Sequence, residues 1–178
     1  QFHRSKGQCV AAAKILKHAI ALGSLPSRAH LADMLLDGRE GLREDRKLAF
    51  ELVDRGADLG CHHCQGVLSK CYATTEEQDI FFSKLPMECY EGAHNHEKHA
   101  QESAAKGSRY GQFAMTRKLF LRGDFASAEA LAKLAAEQNH DESQWLLGYI
   151  YVNQNPIDVI EGLRWLKLSA AQGLGAAM

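Results

Sequence analysis

The residues with the clearest capacity for chemistry are Cys61-His62-His63-Cys64 and, some thirty positions on, His94-x-His96-x-x-His99. A C-x-x-C pair with nearby imidazoles is a legitimate tetrahedral ligand set for zinc, so these residues invite a metal reading. Cys71 with His94 or His96 would make a smaller cluster of the same kind. Beyond them little catalytic chemistry is visible. There is no nucleophile elbow, no glycine loop of the kind that cradles phosphate, and no carboxylate pair at catalytic spacing. The acidic residues read as helix caps and solvated faces. On this ground the chain is not expected to be an enzyme, and no cofactor is implied.

Whether the cysteines and histidines can meet depends on the elements that carry them, and those elements repeat. The stretch Asp141 to Gly173 shows the unit best: two runs of helical period, Ser143 to Tyr151 and Gly162 to Ala170, separated by Asn155-Pro156 and closed by Gly173. Aligned on the residue that ends the second run, the chain reads Gly23, Gly60, Gly107, Asn139 and Gly173, at spacings of 37, 47, 32 and 34. Gly and Asn are the residues that tolerate the left-handed conformation which terminates a helix. Eleven positions before each terminator stand Ala12, Ala49, His96, Ala128 and Gly162; eight before stand Ile15, Leu52, His99, Leu131 and Trp165. Four positions after the first four come Ser27, Cys64, Gly111 and Ser143, all small, opening the next helix. That helix continues with Leu31-Ala32, Leu68-Ser69, Met115-Thr116 and Leu147-Gly148, then Leu35, Tyr72, Leu119 and Tyr151. Small residues let antiparallel helices approach, and their large neighbours fill the seam. Asp45, Asp124 and Asp158 each precede a second helix at the N-cap position, where a carboxylate accepts orphan amide protons.

This register argues against a shared zinc site. Cys64 takes the position where Ser or Gly stands in the other units, and a free Cys packs as a small hydrophobe. His96 and His99 sit on the returning helix, roughly 12–17 Å along its axis from the end that adjoins Cys61 and Cys64, taking a rise of about 1.5 Å per residue. One tetrahedral ion cannot span that gap. A zinc-binding regulatory module built on the middle unit is therefore the alternative reading, not the first.

The repeated pattern resembles that of Sel-one-like repeats, α/α solenoid units related to tetratricopeptide repeats. Leu147-Gly148 with Tyr151, Asp158, Gly162, Trp165, Ser169-Ala170 and Gly173 carry the likeness most fully, and Gly38-Arg-Glu-Gly41-Leu42 resembles the family's inter-helix loop with one extra residue. The resemblance implies an all-α, α/α superhelical solenoid of helix hairpins, because no hairpin can bury its apolar stripe alone. The expected order is a helix near 8–22, then hairpins at 27–59, 62–106, 110–138 and 141–172, with a further helix starting at 174–178. Both ends read as cut from a longer array. It also implies a protein-interaction scaffold or adaptor without catalysis. The disulfide-stapled secreted branch of the family does not fit, since Gly56-Ala57 and Ser103-Ala104 stand where its cysteines would. In solenoids of this type the first helix of each hairpin lines the concave face. Counted from its small opening residue, positions two and six are Ala29/Asp33, Gly66/Lys70, Phe113/Arg117 and Trp145/Tyr149. A groove binding a peptide or helix would then use Asp33, Lys70, Phe113, Arg117, Trp145 and Tyr149. Lys70 and Arg117 would pair with a carboxylate, Trp145 and Tyr149 would hold an apolar anchor, and Asp33 would reject acidic continuations. Phe113 and Trp145 also have the size to fill seams between repeats.

Composition sets the remaining bounds. The formal net charge is −1 over 178 residues, which gives no general reason to expect nucleic acid. No run of 18 apolar residues exists, so no membrane insertion is expected. Five cysteines in no secreted-scaffold spacing point to free thiols in a reducing, cytoplasmic compartment. The chain opens Gln1-Phe-His-Arg, which is neither an initiator Met nor a signal peptide. The middle unit carries an insertion at 74–92 with an apolar cluster, Ile80, Phe81, Phe82 and Leu85, which is expected to pack as a short helix.

Overall fold

The computed structural model of the chain describes residues 2–38, 42–73, 96–154 and 156–172, and every element among them is helical. In chain order these are α1 (Phe2–Ala21), α2 (Leu25–Leu36), α3 (Arg46–Asp58), α4 (His62–Ala73), α5 (His96–Ala105), α6 (Arg109–Leu121), α7 (Phe125–Glu137), α8 (Asp141–Asn153) and α9 (Val159–Ala171). Hairpins α2/α3, α4/α5, α6/α7 and α8/α9 stack in order, each second helix packing on the first helix of the next hairpin where the sequence spaces them closely. The first helices α2, α4 and α6 also pack on one another as an inner layer. The expected helix at 174–178 and the insertion at 74–92, with Cys89 and His94, lie outside the described residues.

Local rules set the helix ends. Gly60 and Asn139 adopt φ of +80° and +61°, and Gly23 and Gly107 do the same. At each of these four the following N–H reaches back to a carbonyl of the last turn: Ser24 to Ala19 at 2.9 Å, Cys61 to Gly56 at 3.0 Å, Ser108 to Ser103 at 3.0 Å and His140 to Ala135 at 3.2 Å. That bond closes a left-handed C-terminal cap. Gly173 lies outside the described residues. The second helices begin on aspartates, Asp45, Asp124 and Asp158 accepting the N–H groups of Leu48, Ser127 and Glu161 at 3.0, 3.2 and 3.0 Å. α1 starts at Phe2, ahead of the expected boundary near 8. Gly7 is the only weak helix former in that turn, and a single interior glycine costs about 1 kcal/mol, too little to stop a helix.

Close helix contacts form where the sequence is small. A Cβ built on Gly111 of α6 would stand 2.5 Å from the Ala104 amide nitrogen and from Ser103 Cβ, both on α5. One on Gly66 of α4 would meet the Gly111 nitrogen at 2.6 Å, and one on Gly148 would meet the Gly162 carbonyl oxygen at 2.9 Å. The hydroxyls beside these seams bond across them in the same register, Ser103 Oγ donating to the His62 carbonyl at 2.6 Å and Ser169 Oγ to the Asp141 carbonyl at 2.8 Å. Large residues fill the flanks. Leu147 and Trp165 bury with Ala132 and Ala136, Tyr151 packing alongside. Phe113, Ala128, Leu146 and Ile150 form the neighbouring cluster.

These contacts fix the sign of one substitution. Alanine is favoured over glycine inside a helix by about 1 kcal/mol, but overpacking costs about 1–3 kcal/mol, and at Gly111 the obstacle is backbone that cannot rotate away. Gly111→Ala is therefore expected to lower the unfolding free energy by about 1–3 kcal/mol in urea denaturation. A variant as stable as the parent would show that α5 and α6 are not held this closely.

Candidate functional site

The inner layer carries an ionic cluster. Lys70 Nζ, on α4, lies 3.0 Å from Asp33 Oδ1 on α2, 3.1 Å from Asp37 Oδ1 at the end of α2 and 2.8 Å from Glu142 Oε2 on α8. The Lys70 side chain is 11% exposed. Burial opposes its charge, but the carboxylates of Asp33, Glu142 and Asp37 overcome that and hold its pKa well above the usual lysine value. Burial raises the Glu142 pKa, the Lys70 ammonium pulling against it and the Asp33 carboxylate adding to it. The sequence had placed Lys70 opposite a partner's carboxylate and Asp33 at the far end of the groove as a filter. The structure instead sets the two against each other, because the curved inner layer brings α2, α4 and α8 together around one ammonium.

His140 borders this cluster as the N-cap of α8 and is 2% exposed. Its Nδ1 accepts the Ser143 N–H at 3.3 Å and lies 3.0 Å from Ser143 Oγ. That network assigns the proton to Nε2, which lies 3.8 Å from Glu142 Oε2. The rings of Tyr110 and Phe113 flank it at 5.4 and 5.0 Å. Burial pushes its pKa down to about 4. The candidate ligand atoms of Asp33, His140 and Glu142 lie within 4.8 Å of one another, the one such group among the described residues. The cation they face is already Lys70, and the imidazole turns a protonated nitrogen toward them.

The cysteine and histidine motif is distributed over seams. Cys64 is fully buried, its thiol 3.5 Å from the Leu25 carbonyl. His63 Nδ1 lies 3.0 Å from Ser108 Oγ, and the His62 and His63 rings lie 4.3 Å apart at a tilt of 42°. His99 is half-buried on α5. The side chains of His94 and His96 lie outside the described residues.

Four of the expected groove residues do come together. Phe113 and Arg117 on α6, with Trp145 and Tyr149 on α8, line a cavity of about 510 Å³ that Phe120, Leu121, Glu142 and Leu146 complete. Trp145 and Tyr149 lie ring to ring at 5.9 Å, and Phe120 meets Tyr149 edge-on at 5.9 Å. Phe113 is buried in the seam with Leu146 and Ile150, while Tyr149 is 40% exposed. Arg117 is half-buried and makes no ion pair among the described residues. Phe120 and Glu142 are absent from the sequence-based list. Phe120 stands seven positions after Phe113, two helical turns along the same face, so the period alone could have found it. Glu142 lines the cavity and also binds Lys70, joining the groove to the ionic cluster.

A stack of helix hairpins with a concave aromatic pocket defines an α/α repeat protein. The chain belongs to the Sel1 repeat family, whose model matches residues 26–61, 109–140 and 141–174. The unmatched second hairpin is the one that carries the insertion. Sel1 repeat proteins are in general non-catalytic protein–protein interaction scaffolds. Among solved structures, a Sel1 repeat protein from Oxalobacter formigenes shares the fold at a TM-score of 0.54 and 18% identity, over 99% of this chain and 72% of that one. A protective antigen of uropathogenic Escherichia coli strains displaying an SLR fold gives a TM-score of 0.47 and 19% identity over 97% of this chain. The present chain spans 38% of that protein's length. No curated protein matches the chain in sequence. No described helix is long and apolar enough to cross a membrane.

The His140 environment predicts a pH dependence. With a folded pKa of about 4 against 6.5 unfolded, the unfolded chain takes up the proton first as pH falls. The contribution to stability is complete above 6.5 and is lost progressively down to about 4. His63 and His30, also lowered chiefly by burial, act in the same direction. His140→Asn keeps an N-cap acceptor and removes the titration. Between pH 7.5 and 4.5 the parent should lose about 2–3 kcal/mol more unfolding free energy than this variant. Equal losses in chemical denaturation would contradict the buried neutral imidazole.

Proposed function

We propose that this chain is a non-catalytic scaffold or adaptor that holds a peptide or helix of another protein in its concave groove. The observation that carries the reading is the pairing of an unspent cation with an open aromatic pocket. Arg117 is half-buried, has no ionic partner among the described residues, and lines the same cavity as Trp145, Tyr149 and Phe120. A guanidinium can fork onto a carboxylate with two parallel hydrogen bonds, and the rings beside it offer an apolar anchor its contact surface. Tyr, Trp and Arg are the residues that most often carry binding energy at interfaces. The preferred ligand is therefore a segment with an apolar or aromatic side chain close to an acidic one. Lys70 and Asp33, satisfied by each other, contribute by shaping the groove and not by touching the ligand. Glu142 at the rim disfavours a second acidic residue on that side.

The reading is tested with a partner that co-purifies with the chain. Arg117→Ala and Tyr149→Ala should each weaken its binding by about 1–2 kcal/mol or more, with the melting temperature nearly unchanged. Lys133→Ala, on the exposed side of α7, is the control and should bind as the parent does. Equal losses from both faces, or none from the groove pair, would contradict binding in the groove. Trp145→Ala is a poorer probe because Trp145 also packs on the Phe113 cluster.

A further inference from the structure

Cys61 and Cys64 are left without a use by the groove, yet their arrangement has a chemistry of its own. Cys61 immediately precedes α4 and caps it, its carbonyl accepting the Gln65 N–H at 3.0 Å while its own N–H bonds to the Gly56 carbonyl at 3.0 Å. Cys64 lies one turn further on, and positions three apart share a helix face. Both are free thiols, and the neighbouring Cys61 adds to burial in holding the Cys64 thiol protonated. Cys61 is 7% exposed and Cys64 not at all. The Cys64 sulfur lies against α3, where a Cβ built on Gly56 would stand 2.3 Å from it. Two thiols are thus set one turn apart on one helix face, one with an edge to solvent and the other fully buried. Cys71, seven residues along α4 from Cys64, is buried, and Cys9 lies on α1, so neither is placed to compete.

We propose that Cys61 and Cys64 form a reversible intramolecular disulfide, a dithiol centre that exchanges with small disulfides such as oxidised glutathione. Cys61, the one of the two thiols with an edge to solvent, is the first nucleophile. Its thiolate attacks one sulfur of oxidised glutathione and the S–S bond breaks. One glutathione departs as thiolate and takes up the proton that Cys61 gave, leaving a mixed disulfide on Cys61. Cys64, which burial holds firmly as a thiol until then, attacks the Cys61 sulfur. The Cys61–Cys64 bond forms, and the second glutathione leaves with the Cys64 proton. Two thiols are oxidised by two electrons in all, and one disulfide is reduced to two thiols. The closed disulfide withdraws the Cys64 S–H from the Leu25 carbonyl at the start of α2, so the redox state is felt at the seam between the first two hairpins.

The test is a redox titration of the purified chain. It is equilibrated over a series of reduced to oxidised glutathione ratios, quenched in acid, alkylated under denaturing conditions and analysed by peptide mass spectrometry. The expected result is a peptide linking Cys61 to Cys64, lighter than the dithiol by two hydrogens, that becomes the main species at the oxidising end and is reversed by dithiothreitol. Cys64→Ser should fold, since Ser27 and Ser143 fill the same position in other hairpins, and it should stop at a glutathione adduct on Cys61. Cys61→Ser should leave Cys64 unmodified. Cys61 free or merely glutathionylated across the whole series in the parent chain would overturn the proposal. So would a disulfide from either residue to Cys9, Cys71 or Cys89.

Discussion

A single buried ammonium surrounded by carboxylates links helices of three hairpins in this molecule. Stacked hairpins ordinarily touch only their neighbours, so their stability is a sum of local seams. Lys70 departs from that rule. Its three partners come from the first and fourth hairpins, although it belongs to the second. A charge taken out of water is costly unless paired and hydrogen-bonded, and this one is satisfied only when α2, α4 and α8 converge. Tyr110 at the start of α6 reinforces the convergence. Its hydroxyl meets His30 Nδ1 of α2 at 2.7 Å, with Arg109 directing a guanidinium N–H to the same nitrogen at 2.9 Å, and its ring edge faces His140 of the fourth hairpin.

The curvature so imposed determines what the concave face can offer. At the Lys70 end the inward charges meet and satisfy one another. Towards α6 and α8 they diverge around a cavity whose walls are largely aromatic and whose cation, Arg117, makes no ion pair among the described residues. Glycine and serine seams make this possible from behind: α5 and α6 approach so closely at Gly111 that a methyl group has no room, and so the inner helices sit at fixed spacing. The same tight packing buries Cys64 against Gly56 of α3.

Much of this architecture was legible in the sequence because its determinants are local. Gly60 or Asn139 ends a helix through its own backbone conformation, and Asp124 starts one through a carboxylate three residues from the amide it binds. Such signals recur from unit to unit and survive without knowledge of the tertiary structure. The groove was only half legible. Position counting put Asp33, Lys70, Arg117 and Tyr149 in one stripe, but gave no sign that such positions from different hairpins touch. The Lys70 pairs span 37 and 72 residues, and their existence depends on superhelical curvature, which no single repeat encodes. Glu142 was missed for the same reason, its neighbours in the chain giving it no sign of a role beyond the first turn of a helix.

The claim on which the rest depends is that Lys70 ties the inner layer together and is not a recognition residue. Its most direct test is the unfolding free energy of Lys70→Met, alone and combined with Asp33→Asn. The account predicts a loss of about 3–5 kcal/mol for the single change, the cost of leaving buried carboxylates without their cation, and a partial recovery in the double variant as one of those charges is removed. A single variant within about 0.5 kcal/mol of the parent, the range of an ordinary surface substitution, would contradict it.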